Sequence, residues 1–138
     1  MSDHVKNHTG GCLCKKITYT ISSDLKGVVA CHCKQCRLWS GHVWASTACP
    51  TDALTITTGS EYLSWYASSD HARRGFCKNC GSSLFWLPTE NGDEGDHYAI
   101  AAGSLNEPTK LDTERHIFCK FKGDYYTIES ETRQDETY

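Results

Sequence analysis

Seven of the nine cysteines in this 138-residue sequence stand at short spacings that suit metal binding. They form two pairs and one triplet, namely Cys12 and Cys14, Cys77 and Cys80, and Cys31, Cys33 and Cys36. Seven thiols divide naturally as four plus three. A zinc ion with four protein ligands is usually structural, whereas one with three keeps a position for water or substrate. The spacing therefore predicts one structural and one reactive zinc site.

The two pairs are predicted to form the structural site. Cys77 and Cys80 are followed by Gly81, as in a zinc knuckle, and glycine can adopt the left-handed conformation of such a turn. The site needs a second pair, and Cys12 with Cys14 is available. The alternatives are a reduced cluster without metal and a redox dithiol, but a redox site normally begins a helix in a βαβ unit, which this sequence lacks.

The triplet Cys31, Cys33 and Cys36 can converge only if the backbone curls into a tight loop or the start of a helix. We predict a second zinc on these three sulfurs. The sequence leaves its fourth ligand open, and the candidates are water, Cys49, His32, His42, His71 and His116. His32 stands between two ligands, so its side chain is expected to point away. A fourth ligand from Cys49 would make this site structural as well.

The ligand type of the triplet indicates which reaction it could support. Thiolates donate charge strongly, so a zinc ion on three thiolates activates water less well than one on three histidines. Such an ion is better suited to binding an incoming thiol and lowering its pKa. The triplet therefore favours thiol chemistry over hydrolysis, which makes Cys31, Cys33 and Cys36 the candidate catalytic residues.

Five basic side chains could bind the carboxylates of a thiol ligand. Arginine is the better choice because its planar fork pairs with a carboxylate through two hydrogen bonds. The five are Arg37, Arg73, Arg74, Lys120 and Lys122, with a solvated surface charge as the alternative for each. Arg37 is the best candidate because it follows the last ligand of the triplet. The four tryptophans could line a pocket, although aromatic residues in strands more often pack in a core.

Composition excludes several classes of protein. A mass of 15.4 kDa suits a single domain with one core. The net charge of -3 gives no support to nucleic-acid binding, and no apolar run of about 18 residues could span a membrane. The N-terminal residues lack the apolar segment of a signal peptide, so we expect a cytoplasmic protein whose reduced thiols bind metal.

The elements that must position these residues are mainly short strands. Alternating apolar residues with regular breakers predict about eight strands, hence a mostly β fold of packed antiparallel sheets. The helix predicted with most support covers residues 34–40, directly after the triplet. The clearest strand predictions cover residues 16–22, 42–48, 61–67, 71–76, 84–87 (stopping at Pro88), 97–102 and 116–121, with 125–128 closing the sheet and a frayed tail after it.

These motifs resemble the glutathione-dependent formaldehyde-activating enzyme family, also called the Gfa-like or centromere-protein-V-like group. The resemblance spans about residues 9–128. The motifs that carry it are Gly11-Cys12-Leu13-Cys14, Cys31-His32-Cys33 with Cys36-Arg37, Gly41, and Phe76-Cys77 with Cys80-Gly81. Residues 120–126 depart from the Lys-Ala-Pro-Trp sequence of many members, which leaves the substrate open.

The resemblance implies an Mss4-like fold with zinc knuckles and a zinc-binding domain at residues 10–128, between a flexible segment at 1–9 and a charged tail at 129–138. It implies a structural zinc on the two pairs and a second zinc on the triplet, where glutathione binds. The implied reaction adds glutathione to formaldehyde to give S-hydroxymethylglutathione, a carbon–sulfur lyase reaction in reverse. A thiol carrier without turnover and a structural zinc module that binds a protein are the alternatives.

Overall fold

The structure is a computed structural model that describes residues 7–90, 93–129 and 131–138. Over these residues the chain forms twelve strands and one α-helix, which confirms the mostly β prediction. The strands β1 to β12 are His8–Gly11, Thr18–Ile21, Val28–Cys31, Trp44–Pro50, Leu54–Thr58, Leu63–Ser69, Ala72–Cys77, Ser83–Glu90, Asp93–Glu94, His97–Ala101, Thr113–Ile117 and Arg133–Gln134, and the helix α1 is Lys34–Ser40. In these ranges no helix combines the length and the apolar character needed to cross a membrane.

The smaller of two sheets is antiparallel and has the strand order β1-β2-β5. Its middle strand buries Tyr19 and Ile21, while Thr18 and Thr20 are partly exposed. Successive side chains of a strand point to opposite faces, so this alternation places one apolar face towards the core. The strand predicted within residues 16–22 is therefore confirmed.

The larger sheet has the order β12-β11-β3-β4-β10-β8-β7-β6, with the short β9 paired to β8. Its pairs are antiparallel, as predicted, except at one edge, where β11 runs parallel to both β3 and β12. The parallel pairing sets Cys31 beside Ile117, at the end of both strands. The triplet thus begins at the end of β3, an internal strand of the sheet.

The two faces of the larger sheet have different neighbours. The cross-strand pair Phe85 and Ile100 is buried in the core shared with the smaller sheet. The next pair along, Trp86 and Ala99, belongs to a second apolar group on the opposite face, together with residues of α1. Alternation along single strands therefore separates a packed core from the face that carries the triplet.

Helix α1 begins directly after the second cysteine of the triplet and covers the predicted residues. Cys33 is its N-cap, because the Cys33 sulfur accepts a hydrogen bond from the backbone N–H of Cys36. Gly41 ends the helix with a left-handed φ of 91°, and its N–H donates to the carbonyl of Arg37. Glycine suits this position because it adopts positive φ without steric cost.

Strand β8 does not stop at Pro88, as the sequence predicted, but continues to Glu90. Pro88 pairs with Ala72 of β7, and the N–H of Thr89 donates to the carbonyl of His71 at 2.7 Å. The carbonyl of Pro88 accepts the N–H of Gly95. Proline removes only its own donor, so the neighbouring hydrogen bonds keep the strand together.

The C-terminal part of the chain differs most from prediction. The strand predicted at 125–128 is wrong, and the one predicted at 116–121 ends at residue 117, where a 3₁₀ turn takes over. The tail expected to fray contains β12, and the carbonyl of Asp135 accepts the N–H of Cys119 at 2.9 Å. Of the predicted flexible segment, residues 1–6 lie outside the described part of the chain, and β1 includes His8 and Thr9.

Candidate functional site

The structure brings together the thiols that the sequence assigned to shared metals. The four-thiol cluster consists of Cys12, Cys14, Cys77 and Cys80, and the three-thiol cluster of Cys31, Cys33 and Cys36. In each cluster all sulfur atoms lie within 4.8 Å of one another. The spatial grouping is therefore the four plus three that the spacing predicted.

Two turns build the four-thiol cluster. Cys12 and Cys14 lie in the turn between β1 and β2, while Cys77 ends β7 and Cys80 lies in the turn that leads to β8. Gly81 has a φ of 81°, and its N–H donates to the carbonyl of Cys77 at 2.7 Å. The predicted knuckle geometry is thus present, and the cluster joins the smaller sheet to the larger one.

The sulfur spacing of this cluster suits a single tetrahedral ion. The Cys14 sulfur lies 3.5 Å from that of Cys12 and 3.8 Å from that of Cys77. Sulfurs bound tetrahedrally to zinc at the usual distance stand about 3.8 Å apart. The backbone N–H groups of Ile17 and Cys80 donate to the sulfurs of Cys12 and Cys77, and these two cysteines are almost completely buried.

Ser82 links the two turns of the four-thiol cluster. Its hydroxyl accepts the N–H of Leu13 at 3.0 Å and lies 3.2 Å from the Cys80 sulfur. Burial raises the pKa of Cys80, but hydrogen bonds led by that of Ser82 outweigh this effect and lower the pKa to about 5. Burial raises the pKa of Cys77 to about 11.

The three-thiol cluster forms where β3 passes into α1. Cys31 ends the strand, Cys33 caps the helix, and Cys36 lies on the buried side of its first turn. The sulfurs of Cys31 and Cys33 are 3.4 Å apart. The start of a helix thus brings together three residues at spacings of two and three, as predicted.

The three thiols share protons unequally. Hydrogen bonds, first from Cys31 and then from Cys36, lower the pKa of Cys33 to about 2. The same contact with Cys33 is the main cause that raises the pKa of Cys31 above its usual value. Three sulfurs this close together favour a cation, because a positive charge stabilises their thiolate forms.

Arg74, which the sequence ranked below Arg37, is the arginine that contacts the three-thiol cluster. Its side chain is 3% exposed, and both terminal nitrogens lie 3.7 Å from the Cys36 sulfur. One of them also donates to the side-chain oxygen of Gln35 at 2.9 Å, and the guanidinium stacks over the ring of Trp39. A buried positive charge therefore faces the thiolates directly.

Arg37 makes different contacts. It donates to the backbone carbonyls of His32 and Phe121, at 3.2 and 3.0 Å. These bonds tie α1 to the segment after β11. Its predicted role in binding a ligand stays a prediction.

The predicted histidine candidates lie away from the sulfurs. The imidazole of His32 bonds to the hydroxyl of Tyr126 at 2.8 Å and to the ring of His116 at 2.9 Å, which confirms that it points outward. Burial, followed by the nearby His116, lowers the pKa of His32 to about 4 and keeps it neutral. His42 bonds to the hydroxyl of Tyr125 at 2.7 Å. These side chains instead anchor the segment that was predicted as a closing strand.

Cys49 does not complete the three-thiol cluster. In β4 it is five residues beyond Trp44, the partner of Cys31, and this separation corresponds to roughly 16 Å along a strand. Burial raises its pKa to about 11, as expected for an inert core thiol. His71 is exposed in the turn before β7. Among the described residues, no histidine, carboxylate or further thiol joins the three sulfurs.

A cavity of about 930 Å³ opens on the three-thiol cluster. It lies on the outer face of the larger sheet, where Ala48 and Ala99 stand side by side as cross-strand partners. Trp44 and Trp86 also line it, so two of the four tryptophans belong to the second apolar group and to the wall of a pocket. Of the five basic candidates, all of them described, only Arg74 lines this cavity. A cavity of this size can hold a small organic molecule beside the thiols.

A family profile described as glutathione-dependent formaldehyde-activating enzyme matches residues 7–121, most of the chain. The chain belongs to this family. The resemblance carried by the cysteine motifs is thereby confirmed.

Two curated proteins show similarity along nearly the whole chain. An uncharacterized lyase of Schizosaccharomyces pombe is 30% identical over 125 residues, which are 91% of this chain and 88% of the relative. A protein of Phaeosphaeria nodorum, provisionally named a glutathione-dependent formaldehyde-activating enzyme, is 27% identical over 157 aligned positions, with 96% of this chain and 83% of the relative covered.

A crystal structure of a Rhodobacter sphaeroides protein shares the fold. It aligns with a TM-score of 0.58 and 20% identity, covering 72% of this chain and 88% of that chain. At this identity the likeness concerns the fold alone. It supports the predicted architecture of packed sheets.

Both thiol clusters of this family member have the donor chemistry of zinc sites. Their donors are all thiol sulfurs, which zinc binds readily, and their spacing fits tetrahedral coordination. The four-thiol cluster would supply a complete coordination shell. The three-thiol cluster would supply three ligands on the wall of the cavity and leave one position to the ligand there.

Proposed function

We propose that this protein is a zinc-dependent carbon–sulfur lyase or synthase that joins the sulfur of glutathione to an aldehyde and also reverses that reaction. The observation that carries the proposal is the position of the three-thiol cluster on the wall of the large cavity. Family membership supports an enzyme, and the name of the fission yeast relative supports a lyase. Nine cysteines without a disulfide suit the reducing cytoplasm expected from the sequence.

In this proposal Cys31, Cys33 and Cys36 hold the reactive metal. A bound zinc ion would supply an open position that takes the glutathione sulfur as a thiolate at neutral pH. Arg74 offsets part of the negative charge of the thiolates, and Gln35 fixes its guanidinium in place. These two residues prepare the site electrostatically before a ligand arrives.

The rest of glutathione would lie along the cavity, towards its charged part. Arg115, which pairs with Asp135 at 3.1 Å, and Lys26 line this part together with Glu114, and Arg115 stands two residues before Ile117, the partner of Cys31. Two residues of a strand span roughly 7 Å. Glutathione carries two carboxylates and an ammonium group, so side chains of both signs suit it.

The reaction needs a nucleophile, an electrophile and a donor to the oxygen that gains charge. The glutathione sulfur attacks the carbonyl carbon, a carbon–sulfur bond forms, and the electrons of the carbonyl π bond move to oxygen, which is then protonated. Trp44 lines the cavity, and its buried indole N–H has no partner within the described residues. To stabilise the developing oxyanion, this N–H would need the Trp44 ring to turn, because the atom itself is closed off from the cavity. The reverse reaction breaks the same bond and releases thiol and aldehyde.

The test is the rate of S-hydroxymethylglutathione formation from glutathione and formaldehyde, measured with zinc-loaded wild-type protein and a Cys33→Ser variant. Serine is a strong N-cap, so this substitution keeps α1 capped and removes one thiolate. We expect the rate above background to fall at least about 100-fold, since the group at the reacting centre is lost. A Cys119→Ser variant, changed outside both clusters, is the matched control and should keep full activity.

Equal rates for wild-type protein, Cys33→Ser and the uncatalysed solution would contradict an enzyme of this kind. Saturable binding of glutathione that depends on Cys33, without any acceleration, would instead indicate the thiol carrier. Zinc retained at both clusters with no affinity for thiols would indicate the structural module.

A further inference from the structure

The cavity beside the three-thiol cluster is far larger than formaldehyde requires. Pockets of 300–1,000 Å³ hold ligands of drug size, and this cavity measures about 930 Å³. Formaldehyde adds only one carbon and one oxygen to the thiol that it meets. Glutathione would fill part of this volume, and a large apolar part of the lining remains.

Small side chains create this apolar part. Val29, Ser46 and Ala101 form one cross-strand row across β3, β4 and β10, and Ala48 and Ala99 form the next row. All but Ala101 are among the lining residues. Larger residues at these positions would fill the cavity with the chain's own atoms, as Phe85 and Ile100 do on the opposite face. Small residues at these positions therefore leave open space on this face of the sheet.

Aromatic side chains form the walls at the end nearest the sulfurs. Trp44 is the cross-strand partner of Cys31, and Trp86 is that of Ala99. Trp44 and Trp86 line the cavity together with Phe118. Phe118 follows Ile117, which pairs with Cys31 from the neighbouring strand β11. The indole N–H of Trp44 is buried without a partner in the described part of the chain and is closed off from the cavity. Apolar walls suit an apolar group on the ligand.

We infer that the aldehyde used by this protein carries an apolar group of several carbons, aliphatic or aromatic, rather than the single carbon of formaldehyde. The inference rests on the proposed function for the reaction itself. The thiol R–SH and the aldehyde R′–CHO give R–S–CH(OH)–R′. The carbon–sulfur bond forms, the thiol proton ends on the former carbonyl oxygen, and nothing is oxidised or reduced.

Binding of stable glutathione thioethers tests the cavity without any turnover. Calorimetry with S-methylglutathione, S-hexylglutathione and S-benzylglutathione compares ligands that differ only in the group on sulfur. Each buried methylene tightens binding roughly fourfold, so partial burial of the hexyl chain should give at least about tenfold higher affinity than methyl. Equal affinities for methyl, hexyl and benzyl would overturn the inference.

An Ala99→Leu variant fills the cavity, and Ala67→Leu places the same change on an exposed position of β6 as the matched control. The first should remove most of the advantage of the hexyl and benzyl ligands and leave the affinity of S-methylglutathione within about twofold. Ala67→Leu should leave the affinities of all three ligands unchanged. Far-UV circular dichroism checks that both variants fold. Loss of affinity for all three ligands in Ala99→Leu alone, with its fold intact, would overturn the inference.

Rates with formaldehyde, hexanal and benzaldehyde separate this inference from the proposed function. We expect kcat/KM at least about tenfold higher for the larger aldehydes. Fast turnover of formaldehyde alone, with no gain in affinity from methyl to hexyl, would overturn the inference and leave the proposed function standing. Tight binding of the hexyl thioether without turnover of any aldehyde would support the ligand class and contradict the enzyme.

Discussion

The two thiol clusters use the same kind of ligand in opposite surroundings. The four-thiol cluster is made of two turns far apart in sequence, and its sulfurs pack against the core between the sheets. The three-thiol cluster is made of one short segment and lies where the internal strand β3 ends, beside Arg74 and a cavity. Ligand chemistry alone therefore does not distinguish a structural from a reactive site. The number of ligands and the neighbouring residues do.

Substitution of a four-thiol ligand should have the largest effect. We expect Cys77→Ser to unfold the domain, because a structural zinc contributes roughly 10 kcal/mol in small zinc domains and whole domains are stable by about 5–15 kcal/mol. Near-UV circular dichroism and zinc content are the measurements. A folded variant with an unchanged melting temperature would remove the structural role from this cluster.

The same change in the three-thiol cluster should leave the fold intact and so sharpen the contrast. Cys33→Ser is expected to lose one of two zinc equivalents and to lower Tm by less than about 5 °C, because the helix cap is kept. Zinc content and thermal melts, run beside Cys77→Ser, provide the comparison. If both variants unfold alike, the two clusters do not differ in structural importance.

Arg74→Gln should weaken glutathione binding at the three-thiol cluster while both clusters keep their sulfurs. A charge-assisted hydrogen bond contributes about 1.5–3 kcal/mol, so glutathione affinity is expected to fall roughly 10- to 100-fold. The matched control is Arg73→Gln, since Arg73 stacks over Trp65 and does not line the cavity. Equal losses in the two variants, measured by calorimetry, would show that the position of the charge is unimportant.

The smallest effect concerns Tyr19, in the core next to the four-thiol cluster. Burial raises the pKa of Tyr19 to about 12 despite its hydrogen bond to Ser104. A folded-state pKa above the unfolded value of about 10 gives stability that is complete below pH 10 and lost as the pH rises towards 12. Tyr19→Phe should cost about 1 kcal/mol at pH 8 and reduce this alkaline loss.

Urea unfolding of the wild type and Tyr19→Phe at pH 8 and pH 10.8 is the measurement. Activity per folded molecule should be the same in both proteins. An identical alkaline slope for the two would contradict the assignment to Tyr19.

Local signals predicted much of this molecule. The cysteine spacings defined both clusters because ligands within a turn are fixed by local geometry. Alternation located strand β2, and the start of α1 followed from the triplet itself. The family followed from the same motifs and from their order along the chain.

Contacts between distant segments were not predictable in the same way. Arg37 ranked above Arg74 because it is adjacent to the triplet in sequence, yet Arg74 comes from β7, and only the sheet order brings it there. The sequence did carry one signal for Arg74. It stands two residues after the buried Ala72, and residues two apart on a strand point to the same face. The sequence carried no signal for the parallel strand β12, because a strand that pairs through only two residues shows no periodic pattern.

The separation of ligands along the chain also bears on how the protein acquires its metals during synthesis. The three-thiol ligands span six residues, so they can chelate as soon as that segment has emerged. The Cys14 and Cys77 sulfurs are joined across 63 residues, and this loop closes only when the sheets have assembled. A metal taken up first would therefore enter the three-thiol cluster. The four-thiol cluster would complete its ligand set only later, when the sheets have met.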